Sequence, residues 1–371
     1  MKVSTTSQEL LSQLQTASRV ASTRSAVQAL SGVQVEASAA GVELRATDME
    51  VGLRVPLEAQ VEREGSVVLP ARLMLDVARQ LPSGAVSLEL RPSEGDVEVV
   101  GGSARFHIRT LRSEDFPPLP EVDAEGSEVV SIPAAAFVAT VAKVARSASR
   151  DETRPILTGI LVSAQGTELR MVATDSYRLS VKETTLDAPL DGGFEANVPA
   201  RALQELERVA DTSDDAVLRI GVRSNQVVFQ AGRVVLSSRL IDGQFPNYRG
   251  LLPDSYEHEL HVPGEELTGV VRRISLMAQK NAPLRLAFSE GELTVSAQTP
   301  DVGEASEPLP VPFSGEAFEI GFNPDFLKDG LESVDSGDVV LKLISPLRPG
   351  LIEAADGSGF LYLIMPIRLN V

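Results

Sequence analysis

The chain has 371 residues, a formal net charge of −18 and no cysteine, and 43% of its residues are hydrophobic. This length favours two or three domains, and the lack of cysteine excludes disulfides, thiolate zinc sites and a cysteine nucleophile. No apolar stretch is long enough to span a membrane, and the first residues lack the apolar core of an export signal, so we expect a cytoplasmic protein with no membrane partner.

The first third of the chain alternates helical and extended patterns. Helices are predicted over 4–24 and 70–82. Alternating apolar and polar residues predict strands over 42–46, 86–90 and 106–110. Turns that contain glycine separate such strands at hairpin distances, so this region predicts two helices packed on antiparallel sheets.

The same succession continues along the rest of the chain. Further helices are predicted over 133–150, 199–210, 263–280 and 324–334, and a further strand over 293–297. Prolines mark the starts of these helices, because a residue without an N–H is tolerated in the first helical turn.

Two independent markers show that the succession is an internal repeat. The markers are Ala46, Ala173 and Ala297 in similar strand segments, and Pro70, Pro199 and Pro324 at the starts of similar helices. Both series have a period of about 125 residues. Proline-rich linkers over 116–126 and 245–253 lie between the repeats. We therefore predict three domains of one fold over 1–120, 127–250 and 256–371.

Positive charge is concentrated in the predicted helices, although the rest of the chain is strongly acidic. Several basic pairs are seven residues apart, which places both members on one helix face. These pairs are Arg72 with Arg79, Arg201 with Arg208, Lys143 with Arg150, and Arg273 with Lys280. A solvated helix face is the better explanation of any single pair, but the recurrence in three repeats favours a surface that faces phosphate, and Arg146 lies within it.

The chain carries no set of residues that is typical of an enzyme. It has no phosphate-binding loop of the Gly-x-x-x-x-Gly-Lys type. Two of its histidines, His258 and His261, fall in a predicted strand, where residues three apart face opposite ways, so no metal site is expected. Asp48 and Asp175 occupy equivalent places in two repeats, which indicates turn or capping residues.

Four motifs resemble those of a known family. They are Arg154–Gly159, Ala173–Leu179, Ile241–Pro246 and Tyr362–Leu369. They resemble the bacterial DNA polymerase III β subunits, the sliding clamps, and the resemblance covers the whole chain in order. It implies an α+β fold of three clamp domains, each with two helices packed on two antiparallel four-stranded sheets, which close as a head-to-tail dimeric ring.

The resemblance also implies function and partners. It implies a non-catalytic processivity factor without cofactor or metal, which encircles duplex DNA in the nucleoid without reading its sequence. Implied partners are a second copy of the chain, the replicative polymerase α subunit, the clamp loader and other proteins with a clamp-binding motif. Arg24 is carried over as a further residue that contacts DNA.

The implied peptide-binding cleft and dimer interface are assigned residue by residue. The cleft comprises Arg154, Leu157, Thr174, Tyr177, Arg178, Leu179, Pro246, Leu251, Asn323, Phe326, Leu347, Leu363, Met365, Pro366, Ile367 and Arg368. The dimer interface comprises Phe106, Ile108, Leu276 and Met277. The proline within the last apolar segment lacks the N–H for a regular ladder, which favours a groove there.

Two departures and two alternatives accompany this assignment. The chain adds Asn370 and Val371 after the Arg-Leu pair where the family commonly ends, and Ser176 stands where many members carry glycine. An enzyme that acts on an anionic substrate in a positive groove is the alternative from another class. A clamp paralogue that acts as a toxin-tolerant or decoy clamp is the other.

Overall fold

The computed structural model describes residues 1–210, 212–213, 216–278, 282–300, 302–334 and 337–369. The chain forms two compact units, one of Met1–Ala135 with Glu205–Leu240 and one of Ala136–Gln204 with Ile241–Val371. None of the helices in the described ranges is long and apolar enough to cross a membrane.

Six α-helices and 25 strands make up the regular structure of the described residues. The helices are α1 (Ser7–Ser18), α2 (Ala71–Gln80), α3 (Ala134–Val144), α4 (Ala200–Val209), α5 (Gly264–Ser275) and α6 (Pro324–Glu332). The strands before α3 are β1 (Lys2–Thr6), β2 (Gly32–Ser38), β3 (Gly41–Thr47), β4 (Val51–Leu57), β5 (Gln60–Arg63), β6 (Gly65–Pro70), β7 (Ala85–Arg91), β8 (Asp96–Gly101), β9 (Ala104–Arg109) and β10 (Glu128–Pro133).

The remaining strands follow the same alternation with helices. Those between α3 and α5 are β11 (Gly159–Gln165), β12 (Glu168–Thr174), β13 (Arg178–Thr185), β14 (Gly193–Pro199), β15 (Val217–Arg223), β16 (Gln226–Ala231), β17 (Val234–Arg239) and β18 (His258–Pro263). Those after α5 are β19 (Leu284–Ser289), β20 (Glu292–Thr299), β21 (Gly303–Pro310), β22 (Phe318–Phe322), β23 (Asp338–Leu343), β24 (Gly350–Ala354) and β25 (Phe360–Ile364).

All six helices lie where the sequence predicts them, but each is shorter than expected. The segment predicted as helix 4–24 begins as β1, and the Thr6 side chain then accepts a hydrogen bond from the Glu9 N–H and starts α1. The helix ends at Ser18, so Arg24 lies in the following loop. The predicted helix over 4–24 is therefore wrong at both ends, because the alternating burial of the first residues favours a strand.

The helix ends correct two further predictions. Four prolines that were expected to start helices are instead the last residues of strands, and each helix begins at the next residue. They are Pro70, Pro133, Pro199 and Pro263. Only Pro324 lies in the first turn of a helix, directly after its cap Asn323. Because α3 ends at Val144 and one 3-10 turn over Ala145–Ser147 follows, Lys143 and Arg150 do not share a helix face.

Both units are built from antiparallel sheets. In the first unit, a five-stranded sheet has the order β5-β1-β7-β8-β9, and an eight-stranded sheet has the order β10-β15-β16-β17-β4-β3-β2-β6. In the second unit, an eight-stranded sheet has the order β14-β11-β12-β13-β25-β24-β23-β18, and a four-stranded sheet has the order β21-β20-β19-β22.

Each eight-stranded sheet is continuous across the boundary between two repeats. Strand β4 of the first repeat pairs with β17 of the second, with Leu53 opposite Leu236. Strand β13 of the second repeat pairs with β25 of the third, with Leu179 opposite Leu363. Each repeat thus supplies half of a sheet to its neighbour, and we call these two pairings the first and second inter-repeat seams.

Candidate functional site

The tip of the hairpin between β12 and β13 is a turn held by side chains. The Thr174 hydroxyl donates to the Arg178 carbonyl at 2.7 Å, and the Asp175 carboxylate accepts from the backbone N–H groups of Tyr177 and Arg178 at 2.9 and 3.0 Å. Ser176 takes a φ of 81°, a conformation that costs a residue with a Cβ about 1–2 kcal/mol. Ser176 thus holds a backbone conformation that glycine adopts without this cost.

The first repeat contains the same turn. The Thr47 hydroxyl donates to the Val51 carbonyl at 2.8 Å, the Asp48 carboxylate accepts from the N–H groups of Glu50 and Val51, and Met49 has a φ of 78°. The prediction that Asp48 and its counterpart in the second repeat are turn residues is confirmed.

A second short turn lies beside the hairpin tip. Arg154 donates to the Ser176 hydroxyl at 3.1 Å and pairs with the Asp151 carboxylate at 2.9 Å. The 3-10 turn Pro155–Thr158 follows and buries Leu157. Two turns of the second repeat therefore meet at one end of β12 and β13, and the hydrogen bond between Arg154 and Ser176 connects them.

Arg178 lies at this end of β13 and is almost fully enclosed. Its guanidinium pairs with Asp329 of α6 at 2.6 Å and with Asp175 at 3.0 Å, and it lies over the Phe326 ring at 4.3 Å. Burial opposes its charge, yet Tyr362 and Asp329 hold the pKa of the guanidinium above its ordinary value. Arg178, which the sequence assigned to the cleft, therefore joins the second repeat to α6, and its side chain is engaged there.

The chain changes sheets at the predicted break. The Met365 N–H donates to the Tyr177 carbonyl at 2.8 Å, which extends the pairing of β25 with β13 by one residue. Pro366 has no N–H to continue that ladder. The Ile367 N–H donates instead to the Gly321 carbonyl of β22 at 2.7 Å. The proline thus marks the point where the chain leaves the eight-stranded sheet for the four-stranded one.

Large apolar side chains remain exposed around this point. Tyr177, Leu251, Leu347 and Met365 are 60%, 52%, 63% and 42% exposed. Leu179 and Leu363 belong to a buried cluster that also contains Tyr248 and Leu351. Exposed apolar side chains suit a ligand that has apolar side chains of its own. All four exposed residues belong to the second unit, and their assignment to one peptide-binding cleft stays a prediction.

Two of the predicted cleft residues use their polar side chains in hydrogen bonds within the protein. The Thr174 hydroxyl is used within the turn, and the Asn323 side chain caps α6 by accepting from the Phe326 N–H at 3.1 Å. Pro246 and Arg368 are exposed, and Arg368 borders a separate groove of about 850 Å³ along the four-stranded sheet. The sequence analysis did not single out Tyr248, which lies in the proline-rich linker and is buried in the same cluster as Leu179 and Leu363.

Most of the basic residues predicted to face phosphate are exposed, but several are already paired with acids. The ion pairs join Arg79 to Asp76, Arg208 to Glu205, Arg146 to Glu332 and Arg273 to Glu307. Arg24, Arg72 and Arg150 are exposed and show no ion pair within the described ranges. Arg201 is exposed at the start of α4, Lys143 is half-buried on α3, and Lys280 lies outside the described residues.

The predicted dimer-interface residues differ in exposure. Leu276 follows the last residue of α5 and is 80% exposed, whereas Met277 packs against the core of the third repeat. Ile108 is buried and Phe106 is half-buried on β9. A single exposed leucine does not by itself mark an interface, so the dimer-interface assignment stays a prediction.

The histidines show no arrangement that is typical of a metal site. His258 stacks on Phe318 at 5.1 Å between ring centroids and lies 5.0 Å from Phe313. Among the residues that the structure describes, no three histidine or acidic side chains are grouped as metal ligands. His258 thus belongs to an aromatic cluster.

Family models match three successive parts of the chain. Residues 1–120 match the DNA polymerase III beta subunit N-terminal domain, 131–247 its central domain and 249–368 its C-terminal domain. The beta sliding clamp of Synechococcus elongatus is 33% identical over 378 residues and covers 100% of both chains. That of Streptomyces coelicolor is 32% identical over 353 residues and covers 92% of both.

Solved structures match over the full length as well. The DNA polymerase sliding clamp of Bacillus subtilis has a TM-score of 0.90 at 27% identity and covers 100% of both chains. The DnaN sliding clamp of Pseudomonas aeruginosa bound to griselimycin has a TM-score of 0.88 at 28% identity, again over 100% of both.

Proposed function

The chain belongs to the family of DNA polymerase III beta subunits, the sliding clamps, and we propose on that basis that two copies close head to tail into a ring around duplex DNA. Its three clamp domains and its processivity role in DNA replication follow from the family. The ring, its hold on DNA and its capture of partners are the proposal. The role is non-catalytic and needs no cofactor.

The sheet edges carry the dimer part of the proposal. Each eight-stranded sheet consists of two four-stranded halves from neighbouring repeats, and the inter-repeat seam pairs the edge strand of one half with the edge strand of the other. These pairs are β4 with β17 and β13 with β25. By the same repeat, β9 in the first domain and β21 in the third are the equivalent strands, and both are edges of their sheets. An edge strand is a template for pairing with another chain. Pairing β9 of one copy with β21 of the next would repeat the seam and close the ring.

Charge and apolar exposure support the same pairing. Strand β9 presents the exposed Arg105 and Arg109, of which Arg105 also pairs with Glu98, whereas β21 presents the exposed Glu304. Opposite charges across an interface favour the correct partner and register. Leu276, exposed at the end of α5, supplies the apolar contact that such an interface needs.

The helix faces support sequence-independent contact with DNA. Phosphate contacts give attraction that falls with salt and carries no sequence information. Arg24, Arg72 and Arg150 are open to phosphate, while Arg79 and Arg146 are partly neutralised by neighbouring acids. A ring that slides requires weak contacts, and this partial neutralisation keeps them weak.

The cleft supports the capture of partner peptides. Its exposed apolar side chains suit a short segment with two apolar anchors, and its Met365 adapts to several ligands. Partners of this kind are the replicative polymerase α subunit, the clamp loader and other proteins with a clamp-binding motif. Two anchors at about 1.5–3 kcal/mol each, together with backbone hydrogen bonds and less the ordering cost, suggest peptide affinities in the roughly micromolar range.

The continuous match to three clamp domains is the observation that carries the proposal. The test loads the protein with its clamp loader onto a nicked circular plasmid and measures its retention before and after one double-strand cut. A ring is retained on the circle and slides off the linear ends. Equal retention on both forms contradicts encirclement.

A further inference from the structure

Two acidic residues of α6 link Arg178 of the proposed peptide cleft to Arg146, one of the arginines predicted to face DNA. Asp329 and Glu332 are three residues apart, so they lie on one face of the helix. Asp329 pairs with Arg178 at 2.6 Å, and Glu332 pairs with Arg146 at 2.7 Å and with Arg272 at 2.8 Å. All five side chains belong to the second unit.

Arg146 is shared between the two acids. Its guanidinium lies 3.5 Å from Asp329 as well as 2.7 Å from Glu332, and its backbone carbonyl accepts a hydrogen bond from Arg178. Arg146 and Arg178 approach different oxygens of Asp329 and therefore share the charge of its carboxylate. The strength of the ion pair between Asp329 and Arg178 therefore depends on whether Arg146 also contacts Asp329. The same ion pair positions Arg178 over the Phe326 ring.

The two ends of this network differ in access. Arg146, Arg272 and Glu332 border an open groove of about 950 Å³, and the side chains of the two arginines are 46% and 59% exposed. The side chain of Arg178 is only 10% exposed. An external anion can therefore reach Arg146 and Arg272, but it acts on the enclosed Arg178 through their shared contacts, of which Asp329 carries the charge.

Resting on the proposed function, we propose that Asp329 is a positioning residue of the cleft and that DNA phosphate, by drawing Arg146 away, leaves Asp329 wholly to Arg178. The two states differ in the partner of Arg146, which is Asp329 and Glu332 without DNA and phosphate with DNA. Arg178 is held more firmly in the second state, so the cleft is pre-ordered and binds peptide more tightly on DNA. By linkage, peptide raises the affinity for DNA by the same factor.

The experiment measures peptide affinity with and without DNA. The probe is a fluorescein-labelled peptide from the C-terminal tail of the polymerase α subunit of the same organism, and binding is followed by anisotropy. A short blunt duplex at low salt threads into the ring from its end, so no clamp loader is needed. We expect about fivefold tighter peptide binding with saturating duplex, which is the lower end of usual couplings between sites.

Three variants isolate the network. Asp329→Asn removes the shared charge, so peptide binding weakens and the duplex no longer changes it. Glu332→Gln shifts Arg146 onto Asp329, so peptide binding weakens without duplex and recovers with it. Asp76→Asn is the matched control, because it releases Arg79 on α2 from a similar ion pair without contact to Arg178. It should keep the wild-type ratio of affinities.

The outcomes separate this inference from the proposed function. If the wild-type protein binds neither duplex nor peptide, the proposed function fails. If it binds both but Asp329→Asn keeps the wild-type ratio, the inference is overturned. Thermal melting checks that each variant folds, and Glu332→Gln, at the open end of the network, decides the matter if Asp329→Asn does not fold.

Discussion

Met365 donates its backbone N–H to the carbonyl of Tyr177 at 2.8 Å, and Arg239 makes the same bond to Glu50 at 2.9 Å in the first inter-repeat seam. The two seams are thus built alike down to one backbone hydrogen bond. They differ in side chains, since an apolar methionine stands in the second seam where an arginine stands in the first. That difference makes the first seam a control for the second.

Truncation of Met365 should weaken peptide binding without loss of stability. Met365→Ala removes an exposed side chain, and we expect about tenfold weaker binding, or roughly 1.4 kcal/mol, by calorimetry. The control is Met49→Ala in the equivalent turn of the first repeat, where the methionine is 48% exposed. A similar loss of binding in both variants would count against the cleft assignment.

Ser176→Gly should be more stable than Ser176→Ala. Both variants lose the hydrogen bond with Arg154, so they differ mainly in how well they tolerate the positive φ of 81°, which favours glycine by more than the extra entropy that it brings to the unfolded chain. We expect the free energy of unfolding in urea to be about 0.5–1 kcal/mol higher for the glycine variant. An alanine variant that is as stable as the glycine variant would disprove the explanation.

The proposed dimer interface predicts a folded monomer. Replacing Phe106 and Leu276 by alanine removes apolar contacts worth about 1.5–3 kcal/mol each on full burial. Sedimentation at low concentration should show a monomer with an unchanged circular dichroism spectrum. Leu347→Ala is the control, because that side chain is also exposed, at 63%, but is assigned to the proposed cleft. A double variant that stays dimeric places the interface elsewhere.

The pairing of Glu332 predicts a pH-dependent contribution to stability. The hydrogen bond from Arg146 holds the pKa of the Glu332 carboxyl below its ordinary value. Such a group stabilises the fold fully above the ordinary glutamate pKa of about 4.3, and the contribution is lost as pH falls through the lower folded pKa. Glu332→Gln should therefore cost about 1 kcal/mol at neutral pH and progressively less in acid.

Urea unfolding of the wild type and Glu332→Gln across this pH range measures the effect. Glu316→Gln, at an exposed glutamate, is the control and should match the wild type at every pH. A difference between the wild type and Glu332→Gln that stays constant into acid would refute the assignment of the pKa shift.

Local patterns made the repeat and its turns predictable, whereas the ion pairs were not. The Thr-Asp turns follow from residues within five positions of each other, and the six helices follow from periodicity. The partner of Arg178, Asp329, belongs to another repeat, and no local pattern connects the two. For the same reason, the sequence overstated the free positive charge of residues such as Arg146, whose neutralising acid is remote in the chain.

The second seam has a consequence for synthesis of the protein. Leu179 and its neighbours on β13 are made early, but their partner β25 emerges only after all of β18–β24. Domains generally fold as they leave the ribosome, so one side of β13 stays unpaired until β25 has been made. A nascent chain thus lacks the Met365 side of the proposed cleft, so we expect partner peptides to bind only after β25 has been made.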